Sequence, residues 1–237
     1  MYLYRVQNTV KHLFFDLDHT LWDFETNSNA TLLELFEEHQ LQSHGIFDFE
    51  GFMEAYSVKN RFLWDQYNQG NISKQELRER RFKETFEDLG LALAHHPSEF
   101  SDQYIFRCTV KPGVFPHTHE VLTALKKKYP MSILTNGFPE SQHRKMEASG
   151  LHSYFNHLII SEEVGFAKPH EGIFLAALQK AGVSKEEVVM IGDNAHADIK
   201  GAQNAGIRSI WFNPHGEKRP NHIEKEIQSL RELLTLL

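Results

Sequence analysis

Two aspartates, Asp16 and Asp18, stand where an apolar run stops, in HLFFDLDHT. Residues two apart in an extended strand face the same side, and carboxylates crowded together are costly unless a cation neutralises them or one keeps a proton. Such a pair could supply a nucleophile with an acid–base partner, or part of a metal site. Alone, it reads equally as a turn or helix cap, since aspartate is common after strands. Three further groups share this setting. Gly192-Asp193-Asn194, with Asp198 five residues after Asp193, follows another apolar run and offers either metal ligands or a turn and cap. Thr135-Asn136-Gly137 follows MSIL, where a hydroxyl, an amide and a glycine can present donors to a phosphate or simply turn the chain. Lys168, before a proline in GFAKPHEGIF, is a single cation. Each group is weak by itself. Together they form an inventory of nucleophile, acid–base partner, metal ligands, phosphate donors and cation, each at or just past a strand end.

The elements that must position these residues follow from the hydrophobic pattern. HLFFDLD (12–18), MSILTN (131–136), HLIIS (157–161), VVMIGD (188–193) and IRSIWFN (207–213) read as short buried strands. Helical patterns alternate with them and stop at Gly150, Gly182 and Gly206, as helices commonly do. Alternation of this kind predicts a parallel sheet covered on both faces. From about Phe24 to Val110 the pattern changes to amphipathic helices without a convincing strand, one of them opened by a capping box at Ser73 and Glu76. The expected organisation is therefore an α/β domain of Rossmann-like parallel sheet type, residues 1–23 and 111–237, with an all-helical domain inserted at 24–110.

Composition narrows the classes. A formal net charge of −7 does not suit gripping a nucleic-acid polymer, since nothing supplies the broad positive surface that counterion release requires. A small anionic substrate stays open to a local metal and cation. No apolar stretch approaches the roughly 20 residues of a membrane span. The N-terminal MYLYRVQNTVKHLFF lacks the pattern of a signal peptide. The single cysteine, Cys108, allows no intrachain disulfide, so a cytoplasmic location is expected.

The ordered set DLDHT (16–20), TNG (135–137), AKP (167–169) and GDNAHAD (192–198) resembles the four motifs of the haloacid-dehalogenase-like (HAD) hydrolase superfamily, which is mostly phosphatases. The helical insert matches that family's cap of the first type. DHTLWDF, RFLWDQYNQGNIS and IWFNPHG are similar to the pyrimidine 5′-nucleotidase branch. His19 departs from the glycine often found at its position.

The resemblance implies a Mg²⁺-dependent phosphatase acting on a small phosphorylated metabolite. Asp16 is then the nucleophile and Asp18 the general acid and base, with a carboxyl raised above the ordinary value of about 3.9 in the complex. Asp16, the Asp18 backbone carbonyl and Asp193 are the expected Mg²⁺ ligands, with Asp198 supporting them. Thr135, the Asn136 amide and Lys168 are expected on the phosphate, and His19, Trp22 and Phe24 near the leaving group. A sugar-phosphate phosphatase or a phosphomutase would share these residues. A haloacid dehalogenase would lack the second carboxylate of the first motif, and a receiver-like phosphoacceptor module would lack both a positioned acid and a cap.

Overall fold

The computed structural model describes residues 10–46 and 48–237. The expected start of the α/β domain at residue 1, and most of the N-terminal stretch weighed as a signal, lie outside the described residues. Two compact units emerge: residues up to Phe24 together with Pro112–Leu237, and the segment Glu25–Lys111. No helix among the described residues is long and apolar enough to cross a membrane.

The first unit is a six-stranded parallel sheet. Its strands are β1 (His12–Phe15), β2 (Met131–Thr135), β3 (His157–Ile160), β4 (Val188–Gly192), β5 (Arg208–Phe212) and β6 (Glu226–Ile227), in spatial order β3-β2-β1-β4-β5-β6. Every residue of β1, β2 and β4 is buried, which explains why these strands are continuous apolar runs rather than alternating ones. Phe14 and Met190 pack with Leu134, Ile159, Ile173 and Phe174 on one side of the sheet. The chain leaves β1, builds β2 and β3 outward, then returns to add β4 on the other side of β1. That reversal places a crevice at the carboxyl ends of β1 and β4, where ligands of open α/β sheets bind. Register sharpens the point: Phe15 pairs with Ile191, and the Asp16 N–H donates to the Ile191 carbonyl at 2.9 Å. Asp16 and Asp193, 177 positions apart in sequence, therefore leave neighbouring strands almost side by side.

The second unit is helical. The helices are α1 (Phe24–Glu38), which starts at the junction, α2 (Phe49–Asn68), α3 (Lys74–Asp88) and α4 (Phe100–Thr109). Their inward faces form an aromatic core in which Phe52, Tyr56, Phe82, Phe86, Phe100 and Tyr104 meet at ring separations of 4.8 to 6.5 Å. The expected capping box is present: Ser73 accepts from the Glu76 N–H, and the Glu76 carboxylate accepts from the Ser73 N–H.

His12, the first residue of β1, is buried and hydrogen-bonds Ser132 Oγ through Nε2 at 2.8 Å. Burial, with the nearby charge of His157, lowers its pKa from 6.5 to about 4. The unfolded chain thus takes up a proton near pH 6.5 that the folded chain refuses until about 4, so stability falls as pH drops through that window. His12 alone should cost roughly 2 kcal/mol between pH 7 and 5. Urea midpoints at the two pH values, compared with those of His12→Gln, test this. An equal acid-induced loss in the variant would remove His12 as the cause.

Candidate active site

The site is built at the ends of β1, β2 and β4. Asp16 is buried, and its Oδ1 accepts from Lys168 Nζ at 2.5 Å. Lys168 is 4% exposed and also donates to Asp198 Oδ1 at 2.7 Å and to the Leu134 carbonyl at 2.8 Å. A buried ammonium with three oxygen partners is fully satisfied. The loop carrying it is pinned by Asn136, whose Oδ1 accepts from the Lys168 N–H at 2.8 Å and whose Nδ2 donates to the Lys168 carbonyl at 2.9 Å. That pinning is a task for Asn136 beyond the phosphate contact expected of its backbone.

Ligand oxygens of Asp16, Asp193 and Asp198 lie within 4.8 Å of one another. Thr20 joins the first two, donating to Asp193 Oδ1 at 3.1 Å, with Asp16 Oδ2 at 3.4 Å, and accepting from the Asp193 N–H at 3.0 Å. Trp211 on β5 donates its indole N–H to the Asp193 carbonyl at 2.5 Å. Asp198 belongs to the cluster itself, and its second oxygen accepts from the Asn194 N–H at 3.0 Å. Its approach requires a bare backbone at Gly192, where a Cβ would sit 2.4 Å from Asp198 Oδ2. Asn194 carries out the capping half of the sequence reading, accepting from the N–H groups of His196 and Ala197 at the start of a π-helical stretch, Ala195–Lys200.

Electrostatics follows from three clustered carboxylates, two of them, Asp16 and Asp198, bonded to one buried ammonium and the third, Asp193, partly buried beside them. Burial pushes the Asp16 carboxyl up to about 7; Lys168 pulls it down, and the charge of Asp198 adds to the rise. Burial, then the charges of Asp16 and Asp198, push Asp193 well above the ordinary carboxylate value. For Lys168, burial works against the charge, but Asp16 and Asp198 outweigh it and hold the lysine above its usual range. A buried surplus of negative charge on hard oxygen donors fits a small divalent cation.

Asp18 stands apart from this cluster. Helix α5 (Thr118–Lys126) leads into β2 and α6 (Pro139–Ala148) follows it, and it is α6 that brings Asp18 its helical partners. From α6, Lys145 Nζ reaches Asp18 Oδ1 at 2.6 Å and Gln142 Nε2 reaches Oδ2 at 2.7 Å. Burial raises the Asp18 carboxyl, but the charge and hydrogen bond of Lys145, with the bond from Gln142, overcome it and hold Asp18 below its ordinary value. The raised carboxyl that the acid role asks for is thus not what these surroundings produce. Trp22 also needs correcting. It is fully buried, and Lys145 Nζ lies 4.6 Å from its ring centroid, so it has no open face for a leaving group. His19 and Phe24 are half-buried, with rings 4.8 Å apart, and His19 takes a left-handed φ of 61°, which accounts for the glycine common at that position. Thr135 Oγ1 accepts from the Gly137 N–H at 3.1 Å and from Gln142 Nε2 at 2.8 Å.

The structure thus joins Asp16, Lys168, Asp193 and Asp198 in one centre, with Asp18 and Thr135 linked beside it through Gln142. Thr20, Gln142, Lys145 and Trp211 were not anticipated. For Gln142 and Lys145 the sequence does hold a signal: polar residues where the buried stripe of a helix should be apolar.

Fold and centre together define a parallel α/β protein with a carboxylate–lysine cluster at the carboxyl ends of its central strands. The chain belongs to the haloacid dehalogenase-like hydrolase family, whose model matches residues 10–206. It is 36% identical over 234 residues to the pyrimidine 5′-nucleotidase PynA of Streptococcus pneumoniae, covering 96% of this chain and 94% of that one. It is equally 36% identical over 228 residues to the pyrimidine 5′-nucleotidase YjjG of Escherichia coli, covering 95% and 96%. Among solved structures it resembles magnesium-bound YfnB of Bacillus subtilis, with a TM-score of 0.85 and 26% identity over 97% of this chain and 99% of that one.

Proposed function

We propose that this chain is a cytoplasmic, Mg²⁺-dependent phosphatase that hydrolyses phosphate monoesters through a phosphorylated Asp16, with pyrimidine nucleoside 5′-monophosphates as its preferred substrates. The observation that carries this reading is the buried centre of Asp16, Lys168, Asp193 and Asp198. The two nucleotidase relatives support the choice of substrate. Residues 25–111 take the role of the family's cap.

Asp16, Asp193 and the Asp18 backbone carbonyl would hold Mg²⁺, with Asp198 supporting them; the ion supplies the positive charge that lets an anionic carboxylate meet an anionic phosphate. Asp16 attacks phosphorus, the ester P–O bond breaks, and Asp18 gives its proton to the departing alkoxide. Water then attacks the phosphorylated Asp16, its proton passes to Asp18, and the Asp16–phosphorus bond breaks. The low carboxyl of Asp18 suits this second half, in which it accepts a proton. Lys168 orients Asp16 and offsets charge on the transferring group, while Thr135 and the Asn136 N–H take phosphate oxygens.

A panel of pyrimidine and purine 5′-monophosphates and hexose phosphates, assayed with Mg²⁺ and with EDTA, tests the proposal. The expected result is the highest kcat/KM on pyrimidine nucleotides and a loss of about 100-fold or more in EDTA. Equal or better hexose phosphate hydrolysis discards the substrate, and full activity in EDTA discards the metal. Phosphate moved to a second hydroxyl instead of released would identify a mutase.

A further inference from the structure

The inward face of α6 is chemically odd. Its buried residues are Ser141, Gln142, Lys145 and Met146, so three of the four carry polar groups on a ten-residue helix that should turn an apolar stripe to the sheet. Burying an amide and an ammonium is costly unless their hydrogen bonds are made. Lys145 is held by Asp18 Oδ1 and by the ring faces of Trp22 at 4.6 Å and Phe24 at 5.9 Å. Gln142, with no exposed surface, uses one nitrogen for two acceptors, Asp18 Oδ2 and Thr135 Oγ1. Its oxygen, also buried, has no hydrogen-bond partner among the described residues. The reverse orientation would set an amide oxygen against a carboxylate, so the fold accepts an unpaired acceptor in order to aim the nitrogen. Gly137 belongs to the same arrangement, because a Cβ there would lie 1.8 Å from Gln142 Nε2.

We infer that Gln142 and Lys145 are positioning residues for proton transfer by Asp18, holding both oxygens of its carboxylate, and that Gln142 couples this orientation to Thr135 on the phosphate side. The inference rests on the reading of Asp18 as the acid. Both donors also favour the ionised carboxylate, so their removal makes Asp18 easier to protonate but leaves it free to rotate about its side-chain bonds. The loss of direction outweighs that gain, and an alkoxide departing from phosphorus loses its aligned proton. A leaving group that departs as a stable anion has no such need.

That difference gives the test. kcat/KM covers the steps up to leaving-group departure, so hydrolysis of phosphorylated Asp16, common to all substrates, does not enter it. It is measured with Mg²⁺ for the best nucleotide of the panel and for p-nitrophenyl phosphate, in the parent, Gln142→Met, Lys145→Met and Asp18→Asn. Both methionine variants should lose at least about tenfold more on the nucleotide than on the aryl ester, within the 10² to 10⁴ range that general acid catalysis can contribute. Lys145→Arg, which keeps the cation, should recover part of that difference. If Gln142→Met does not fold, Gln142→Asn, one methylene too short, gives the same reading. Equal losses on both substrates mean a purely structural role and overturn the inference while leaving Asp18 as the acid, provided Asp18→Asn does discriminate. A selective rise in nucleotide kcat/KM in either methionine variant also overturns it, since easier protonation then outweighs lost direction. If Asp18→Asn fails to discriminate, the acid assignment and the inference fall together.

Discussion

Asp16→Asn should abolish turnover on every substrate, lowering kcat by about 10⁴-fold or more, because the loss of a covalent nucleophile can cost as much as about 10⁶. The substitution is nearly isosteric, and the amide oxygen can still accept from Lys168 Nζ, which now lies 2.5 Å from Asp16 Oδ1. The fold should therefore survive, with an unchanged far-ultraviolet circular dichroism spectrum. What disappears is the anion that attacks phosphorus. The choice of substrate sets this variant apart from Asp18→Asn. A better leaving group relieves the need for a proton donor but not for a nucleophile, so p-nitrophenyl phosphate should rescue Asp18→Asn in part and Asp16→Asn not at all. Acid-quenched protein should carry a phosphoryl group in the parent and none in Asp16→Asn. Turnover in Asp16→Asn within tenfold of the parent would remove Asp16 from the chemistry.

How far such a centre can be read in advance depends on what kind of contact builds it. β1, β2 and β4 are visible because fully buried parallel strands must be apolar throughout, and the motifs stand out because each begins where such a run ends. β6 is not visible: Glu226–Ile227 is two residues long and is defined by backbone pairing to Trp211 and Phe212 rather than by any pattern of its own. The π-helical stretch after β4 is equally silent, since its capping residue, Asn194, would serve any helix. In the site, the residues whose chemistry is local to a strand end were legible. Those whose role depends on a partner far along the chain were not. Gln142 and Lys145 meet Asp18 across 124 and 127 positions, through a register that periodicity cannot supply. Thr20, four residues from Asp16, ties it to Asp193 across 173 positions. Trp22 misleads for the same reason: its closeness to Asp18 in sequence suggests an exposed platform, whereas the fold uses it to carry Lys145.

Lys168→Met should produce the largest change in stability. Lys168 Nζ is the ammonium bonded to both Asp16 and Asp198, and Asp193 shares the same buried cluster. Methionine fills much of the same space without charge, so the packing loss is small and the electrostatic one is isolated. Removing one side of a buried ion pair typically costs about 3–5 kcal/mol, because the remaining charge keeps its desolvation penalty without its partner. For a chain of this size each kcal/mol shifts the melting temperature by about 2–4 °C, so the variant should melt roughly 10 °C below the parent in EDTA. Mg²⁺ reverses the comparison. An ion that binds only the folded chain stabilises it by about 2.7 kcal/mol at one hundred times its dissociation constant, and a cluster stripped of its lysine presents more uncompensated charge to that ion. The Mg²⁺-induced rise in melting temperature should therefore be larger in Lys168→Met than in the parent, even though the variant is the weaker catalyst. A variant melting within about 2 °C of the parent in EDTA would mean that the three carboxylates do not carry their charges together in the folded protein. A variant with the full stability loss but no larger response to Mg²⁺ would mean that the ion binds somewhere other than this cluster.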